Sequence, residues 1–417
     1  MQGVCSWIKF TALALGVSGS AIASAQAGAT LGEALTGGKP IIDLRARYEY
    51  VNQDGFKQDA NAYTGRARLG YETGVYKGFS LLSDVDLIGH IGADDFNDTV
   101  NGRTAYPTVA DHDIIELNRL QIAYEGLSDT LATLGRQRII LGNARFVGNV
   151  GWRQNEQTFD AFNLVNTSLD GFTLGYSYVN RVNRVFSDDS KQGHYQGDTH
   201  FLNADYKSIT IPFTVSAYGY LLDLENAATL STSTYGVRAA KPFILEDMTT
   251  FDEATTLTVT GEYAHQSDYA TNPLSLDLDY YLGELELKRG PLMVMGGYEI
   301  LGSNGTTGFS TPLATLHAFN GWADTFLTTP GKGLKDAYVS SSYALTKVPC
   351  VAKVVLVATY HDFSSQKSSI DYGHEVDLMT NVVVTNEISL NVKYANYNGA
   401  NGFADRDKVW VGVTYAF

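Results

Sequence analysis

Apolar and polar residues alternate along several segments of this chain. Between Ile42 and Tyr50 every second residue is apolar, and the residues between them are Asp, Arg, Arg and Glu. The segments 63–71 and 388–394 alternate in a similar way. Successive side chains of a β-strand point to opposite faces, so this pattern predicts strands with one apolar face and one wet face. A soluble sandwich alternates as well, so alternation alone does not place the apolar face in lipid.

About 18 segments have this character, and most are as long as the roughly 9–11 residues that a tilted strand needs to cross a bilayer. We therefore predict an all-β fold, a transmembrane antiparallel up-and-down β-barrel of about 18 strands. The predicted strands are 41–51, 62–74, 78–90, 116–125, 130–138, 157–165, 171–182, 199–207, 211–222, 233–240, 256–266, 277–288, 291–300, 334–344, 350–361, 371–382, 386–397 and 408–417.

The connections between these strands alternate between short and long. Outer-membrane barrels have short periplasmic turns and long extracellular loops, whereas a soluble sandwich has no reason to sort its loops in this way. The interval 240–255 is too long for a turn, and we expect a strand extension or a displaced boundary there. The long loops are 52–61, 91–115, 139–156, 183–198, 223–232, 267–276, 301–333, 362–370 and 398–407.

One strand breaks its own alternation. Leu278, Tyr280 and Leu282 share one parity, but after Gly283 the apolar parity changes to that of Leu285. A β-bulge shifts the facing of a strand by one residue, and glycine is common at bulges. We therefore expect a bulge at Gly283.

The first residues follow the order of a secretory signal. A short, weakly basic lead is followed by an apolar run over 10–22 and then by the small residues Ala23, Ser24 and Ala25. This order predicts export and cleavage of the signal. The predicted divisions are a cleaved signal peptide at 1–25, a periplasmic lead at 26–40 and a transmembrane β-barrel at 41–417.

The other end of the chain supports the same compartment. Alternate residues from Val409 to Phe417 are apolar, and the chain ends on Phe417. A terminal aromatic on such a strand resembles the signal recognised by the outer-membrane barrel-assembly machinery. We therefore expect the bacterial outer membrane, with both termini in the periplasm and with lipid and lipopolysaccharide around a monomeric barrel.

Composition removes several classes of function. The 26 Tyr and 41 Gly suit a barrel with aromatic girdles, and a net charge of -15 argues against non-specific binding of nucleic acid. Loss of Cys5 with the signal would leave Cys350 alone, so we expect no disulfide, no metal site and no cofactor. His361, Asp362 and Ser364 form the nearest catalytic set, but alternation separates them and we expect no enzyme.

Arginines occupy the parity that should face the lumen. In a narrow pore of low dielectric, arginine attracts and orients carboxylates and phosphates. Inward carboxylates accompany the arginines, and we expect Arg68 near Asp84 and Arg66 near Asp86 as cross-strand pairs. Such pairs could instead only satisfy buried charge and fix register, so both roles stay open. The strand candidates are Arg45, Arg47, Arg66, Arg68, Arg119, Arg136 and Arg138.

Two long loops, 139–156 and 301–333, contain aromatic and amide side chains that are costly to leave in solvent. Folding into the lumen as a constriction would give these side chains something to pack against. In the first loop the candidate residues are Arg145, Trp152, Arg153, Asn155 and Glu156. In the second loop they are His317, Asn320, Trp322 and Asp324.

Two long motifs resemble the alginate-export family of outer-membrane proteins. They are GRQRIILGNARFVGNVGWRQNEQTFDA (135–161) and TPLATLHAFNGWADTFLTTPGKGLKD (311–336). The resemblance implies an 18-stranded monomeric barrel with an electropositive constriction that secretes a uronic-acid polysaccharide. It also implies that Arg136, Arg138, Arg145 and Arg153 lie on the solute pathway.

The sequence therefore predicts an outer-membrane channel for a polar, anionic solute. The first candidate solute is a uronic-acid polysaccharide that leaves the cell along the arginine-lined lumen. The alternative is a substrate-selective uptake porin for small carboxylates or sugars, which would use the same wall.

Overall fold

The computed structural model describes residues 30–208, 210–245 and 255–417. These residues form 18 antiparallel strands in one closed barrel, because β1 pairs with both β2 and β18. A short helix, α1 (Leu31–Thr36), precedes the first strand. The strands are β1 (Lys39–Gln53), β2 (Ala60–Glu72), β3 (Phe79–Asp95), β4 (Ile114–Leu127), β5 (Thr130–Gln137), β6 (Thr158–Asn166), β7 (Phe172–Asn183), β8 (His194–Lys207), β9 (Thr214–Leu222), β10 (Thr232–Leu245), β11 (Thr255–Asp268), β12 (Asp277–Arg289), β13 (Leu292–Leu301), β14 (Leu334–Leu345), β15 (Lys353–Ser364), β16 (Asp371–Val383), β17 (Ile388–Gly399) and β18 (Arg406–Ala416).

Each of these strands coincides with a predicted one, so the predicted barrel is confirmed. At the long interval 240–255, β10 continues to Leu245 and pairs there with Thr255 of β11. The expected strand extension is therefore present. The predicted signal peptide, 1–25, lies outside the described residues.

Short turns gather at one end of the barrel and long loops at the other. The chain enters β1 at the short-turn end, where the Gly74 N–H donates to the Ala34 carbonyl of α1 at 2.8 Å. The last strand ends at the same level, because the Phe417 N–H donates to the Ile42 carbonyl at 2.8 Å. Both described ends of the chain therefore lie at the short-turn end.

The barrel is apolar outside and charged inside. Leu134 on the outer face is 57% exposed, whereas Asp86 on the inner face is 0% exposed. An apolar outer surface of this kind needs lipid around it, since water would leave it unstable. Among the described residues, no helix has the length and apolar character to cross a membrane.

The expected bulge at Gly283 is wrong. The register of β12 with both of its neighbours runs through Gly283 without a shift. Leu278 and Tyr280 face inwards and are buried in an apolar cluster with Phe146, whereas Leu285 faces outwards. The change in apolar parity arises because the interior is apolar near the long loops and polar further down the strand.

Candidate functional site

Two long loops fold into the lumen and contact each other there. They are the β5–β6 loop (138–157) and the β13–β14 loop (302–333). The Gly148 N–H donates to the Leu313 carbonyl at 2.9 Å, and the Gln157 amide donates to the same carbonyl at 3.0 Å. The two loops therefore form one joined structure across the interior of the barrel.

Arg145 anchors the β5–β6 loop to the far wall. Its side chain is 1% exposed, and its Nε donates to Glu299 Oε1 on β13 at 2.6 Å. Asn320 of the other loop joins them, since it accepts from Arg145 Nη2 at 3.1 Å and donates to Glu299 Oε2 at 2.6 Å. Two predicted residues thus meet at a carboxylate that the sequence analysis did not single out.

A group of five charged side chains, the central charge cluster, joins both loops to the wall. Arg153 lies 3.0 Å from Glu49, 3.6 Å from Asp111 and 3.8 Å from Asp324. Lys408 of β18 binds Asp324 at 2.6 Å and Glu49 at 3.3 Å. Burial raises the pKa of Asp324, but Lys408 and His317 outweigh burial and hold that pKa well below its ordinary value. The cluster is therefore a set of ionised pairs that fixes the two loops to one side of the barrel wall.

Aromatic side chains surround Lys393 of β17 beside this cluster. Its ammonium lies 3.8 Å from the ring centre of Trp322 and 4.2 Å from that of Trp152. His317 stacks on Trp152 with ring centres 4.6 Å apart, accepts from Lys393 at 2.7 Å and donates to Asp324 at 2.7 Å. Burial, together with the neighbouring Lys393 ammonium, lowers the pKa of His317 to about 3. His317 is therefore neutral at physiological pH.

Glu156, at the end of the β5–β6 loop, forms ion pairs with two of the predicted arginines. Arg138 binds it through two hydrogen bonds of 2.6 and 2.8 Å, and Arg68 lies 2.7 Å from it. Burial raises the pKa of Glu156, but the two guanidiniums outweigh burial and lower that pKa below its ordinary value. Asn155 binds the adjacent wall at Glu116 through a hydrogen bond of 3.2 Å.

The predicted cross-strand pairs of Arg66 and Arg68 are wrong by two residues. Arg68 binds Asp86 through two hydrogen bonds of 2.7 Å, and Arg66 lies 2.7 Å from Asp43 of β1. The turn between β2 and β3 is longer than the one that was expected, which moves the register by two positions. Arg119 takes the place beside Asp84, at 2.5 Å.

Arg136 fastens neighbouring strands together. Its Nε donates to Asp160 of β6 at 2.7 Å, and its Nη1 donates to the Leu117 carbonyl of β4 at 3.1 Å. Arg136 thus connects the strands on either side of β5, where the pairing of β4 with β5 ends. This geometry favours a structural role for Arg136.

The β1 and β2 arginines hold the backbone of the β5–β6 loop. Arg47 Nη1 donates to the Trp152 carbonyl at 2.5 Å, and Arg66 Nη1 donates to the Gln154 carbonyl at 3.1 Å. Arg45 Nη1 donates to the Gly151 carbonyl at 3.1 Å. A loop that enters a lumen has to find partners for its backbone groups, and these guanidiniums supply them.

Arg45 differs from the other eight predicted arginines. Within the described part of the chain, each of those eight has a carboxylate within 4.0 Å, and Arg45 has none. Its cross-strand partner on β2 is another arginine, Arg66. Among the nine predicted arginines, Arg45 is therefore the one whose charge has no carboxylate partner within 4.0 Å.

Two carboxylates of β16 hold the turn of the β13–β14 loop. Glu375 accepts from the Ala323 N–H at 2.6 Å, and Asp377 accepts from the Trp322 N–H at 3.1 Å. Gly321 has a positive φ of 85°, and a Cβ on it would lie 2.3 Å from Glu375 Oε2. The turn thus depends on glycine at this position.

The wall residues of these networks were not predicted from the sequence. Glu49 and Lys393 occupy the polar parity of alternating strands, a signal that places them inside the barrel but does not link them to a loop. Asp111, in the β3–β4 segment, binds Arg47 at 2.5 Å and has no such pattern around it. In the described ranges, no three His, Cys, Asp or Glu side chains converge in a way that could hold a metal ion.

Solved structures similar to this chain are outer-membrane barrels of the Opd and Occ groups. OccAB2 of Acinetobacter baumannii superposes with a TM-score of 0.70 at 17% identity, over 93% of this chain and 100% of that one. The outer membrane protein OpdK of Pseudomonas aeruginosa gives 0.69 at 13% identity, over 91% and 99%. OpdO of the same organism gives 0.67 at 14% identity, over 93% and 98%. No protein-family model and no curated protein matches the chain.

The resemblance to alginate-export proteins is therefore wrong. The solved structures named above match over nearly their full length, and they are Opd and Occ proteins. The two motifs that carried the resemblance, 135–161 and 311–336, contain much of the two inward loops and the strand ends beside them. Their glycines, arginines and aromatics serve to fold loops into a barrel, which is a property of architecture and does not specify a solute.

Proposed function

We propose that this protein is an outer-membrane channel for small solutes that carry a carboxylate. The long loops face the cell exterior, both termini lie in the periplasm, and residues 1–25 are removed on export. The barrel is a monomer that is inserted by the barrel-assembly machinery and surrounded by lipid and lipopolysaccharide. Mass spectrometry of the mature protein tests the cleavage, and protease treatment of whole cells tests the orientation of the loops.

The observation that carries this proposal is the uncompensated charge of Arg45. A lumen whose cations are all paired offers a passing anion little attraction, since each carboxylate already cancels its arginine. Arg45 faces the lumen without such a partner, and Arg66 lies opposite it on the next strand. Arg119 and Arg138 flank the same wall and keep part of their side chains exposed, 14% and 34%.

The joined loops favour a small solute over a polymer. Buried ion pairs at Arg145 and Arg153 hold the β5–β6 loop across the lumen, and breaking one such pair by removing one partner costs about 3–5 kcal/mol. A polymer would need these contacts to open for the whole time of its passage. A small carboxylate needs only the space that the docked loops leave.

Reversal potentials of the purified barrel in planar bilayers test the role of Arg45. Two charges 4 Å apart in water attract by about 1 kcal/mol, so Arg45→Gln should lower the permeability of small carboxylates relative to potassium by about fivefold. Arg45→Lys keeps the charge, so its permeability ratio of carboxylate to potassium should stay near that of the wild type. Arg103→Gln, which removes a cation from an exposed pair with Asp94, serves as the control.

Two results would reject the proposal. One is a wild-type pore that prefers cations over carboxylates. The other is an Arg45→Gln variant with unchanged selectivity, which would reduce Arg45 to a support for the loop backbone.

A further inference from the structure

Below the docked loops, one wall of the lumen carries apolar side chains among polar ones, since the cross-strand partners of Met293 and Met295 on β12 are Lys288 and Glu286. Met293 and Met295 share the inward parity of Glu299 on β13, Val355 and Val357 that of His361 on β15, and Met379 that of Asp377 on β16. Cross-strand register connects them, because Ser342 of β14 pairs with both Met293 and Val357, and Val357 pairs with Met379. These five apolar residues, Met293, Met295, Val355, Val357 and Met379, form the luminal apolar patch.

The inward loops do not account for this patch. None of its five residues belongs to the buried apolar cluster on which the loops pack. The loops contact β13 and β16 nearer to the long-loop end, at Glu299 and Asp377, and they contact β14 at Asp336. The patch lies towards the short-turn end instead, since Met293 follows the first residue of β13.

The wall across the lumen is more polar, although Leu131 and Val165 also have the inward parity there. Inward positions of β5 to β9 hold hydroxyl and amide side chains, among them Thr133, Asn163, Ser177, Asn203 and Ser216. A pore for small hydrophilic ions has no use for five apolar side chains on one wall, since wetting them costs free energy. The asymmetry of the two walls fits a solute that is itself amphipathic.

We propose that the luminal apolar patch binds the aliphatic part of a linear alkyl carboxylate whose carboxylate group is attracted by Arg45. This inference rests on the proposed function, because it assumes that carboxylates enter the pore. By cross-strand register Met379 is in line with Lys393 of β17, Trp410 of β18 and Glu49 of β1, a path of about 14 Å at roughly 4.8 Å per strand. Arg45 lies four residues from Glu49, about 13 Å further along β1. Methionine side chains are flexible and polarisable, so they adapt to a chain that slides past them.

Binding of this kind makes residence depend on chain length. Removal of one methylene from water increases the binding constant by up to about fourfold. Because a wall covers the chain only in part, the residence time should increase by about two- to fourfold for each added methylene. Butyrate, hexanoate and octanoate at pH 8 are the probes, and the length of single-channel current blocks measures their residence. The wild-type blocks should lengthen along this series.

The test variant is the triple substitution Met293→Ser, Met295→Ser and Met379→Ser. It should bind butyrate as the wild type does, and its blocks should no longer lengthen with the chain. The matched control replaces the same three methionines with leucine and should keep the dependence on chain length. The single variant Met379→Ser, which should reduce the dependence in part, serves if the triple variant does not fold.

The outcomes separate the two proposals. If no carboxylate of any length blocks the current and Arg45→Gln behaves as the wild type, the proposed function fails. If butyrate blocks through Arg45 but residence does not grow with chain length, only the apolar subsite is rejected. A triple serine variant that keeps the full dependence on chain length also rejects the subsite.

Discussion

A guanidinium inside a barrel can serve the protein or the solute, and its partners decide which. Arginine has five N–H donors in a fixed plane, so one side chain can bind a carboxylate and a backbone carbonyl at once. Arg47 does this, with Asp111 on one side and the Trp152 carbonyl on the other. Inward arginines therefore indicate an anion pathway only where a carboxylate partner is missing, and among the nine predicted arginines this selects Arg45.

Gly321 gives a test of loop docking at a single residue. Gly321→Ala should loosen the β13–β14 loop, because it combines an unfavourable positive φ with a contact of 2.3 Å to Glu375, at a combined cost of about 1–3 kcal/mol. Faster trypsin cleavage within the loops of the folded, membrane-embedded barrel would report this loosening. Gly305→Ala is the control, since Gly305 also has a positive φ but nothing within 4 Å of its Cβ position. Equal cleavage rates in the two variants would show that the contact with Glu375 does not matter.

At the scale of elements, the strands were predictable and the contacts of the loops were not. Alternation within a segment is enough to predict a strand, so β1 and β17 could be placed from the sequence alone. Arg145 and Glu299 lie 154 positions apart in the sequence, and no local pattern links them. The wrong prediction of a bulge at Gly283 shows the same limit. Leu278 and Tyr280 face the interior because Phe146 of the distant β5–β6 loop packs against them there.

The ion pair of Arg145 and Glu299 should hold the β5–β6 loop as a unit. Arg145→Met leaves the Glu299 carboxylate buried without its partner, which should cost about 3–5 kcal/mol and raise the single-channel conductance as the loop undocks. The double variant Arg145→Met with Glu299→Gln removes both charges and should recover much of the wild-type conductance. A single variant with wild-type conductance would mean that the contacts of Asn320 and the rest of the loop suffice.

At the scale of the whole molecule, this barrel reverses the usual distribution of charge. Its lipid-facing surface is apolar, and ionised pairs fill the interior around the two loops. The carboxylates of Asp111, Glu156 and Asp324 have a lowered pKa despite burial, because nearby cations outweigh the cost of desolvation. A carboxylate whose pKa is lower in the docked loop than in the free loop stabilises docking at every pH above its ordinary pKa. These pairs therefore weaken only below about pH 4.

His317 should make loop docking sensitive to acid at a higher pH than these carboxylates do. Its pKa is about 3 in the docked loop, where Asp324, Lys393 and Lys408 surround it, and about 6.5 once the loop is free in water. The free loop therefore takes up a proton below about pH 6.5 that the docked loop refuses, so docking weakens as pH falls towards 3, by about 1.4 kcal/mol per pH unit. Between pH 7.5 and 4.5, the open-channel current of the wild type should become noisier, and the noise of His317→Asn, which lacks this titrating group, should change less. Constant noise in the wild type over this range would mean that the docked His317 accepts a proton as readily as the free one.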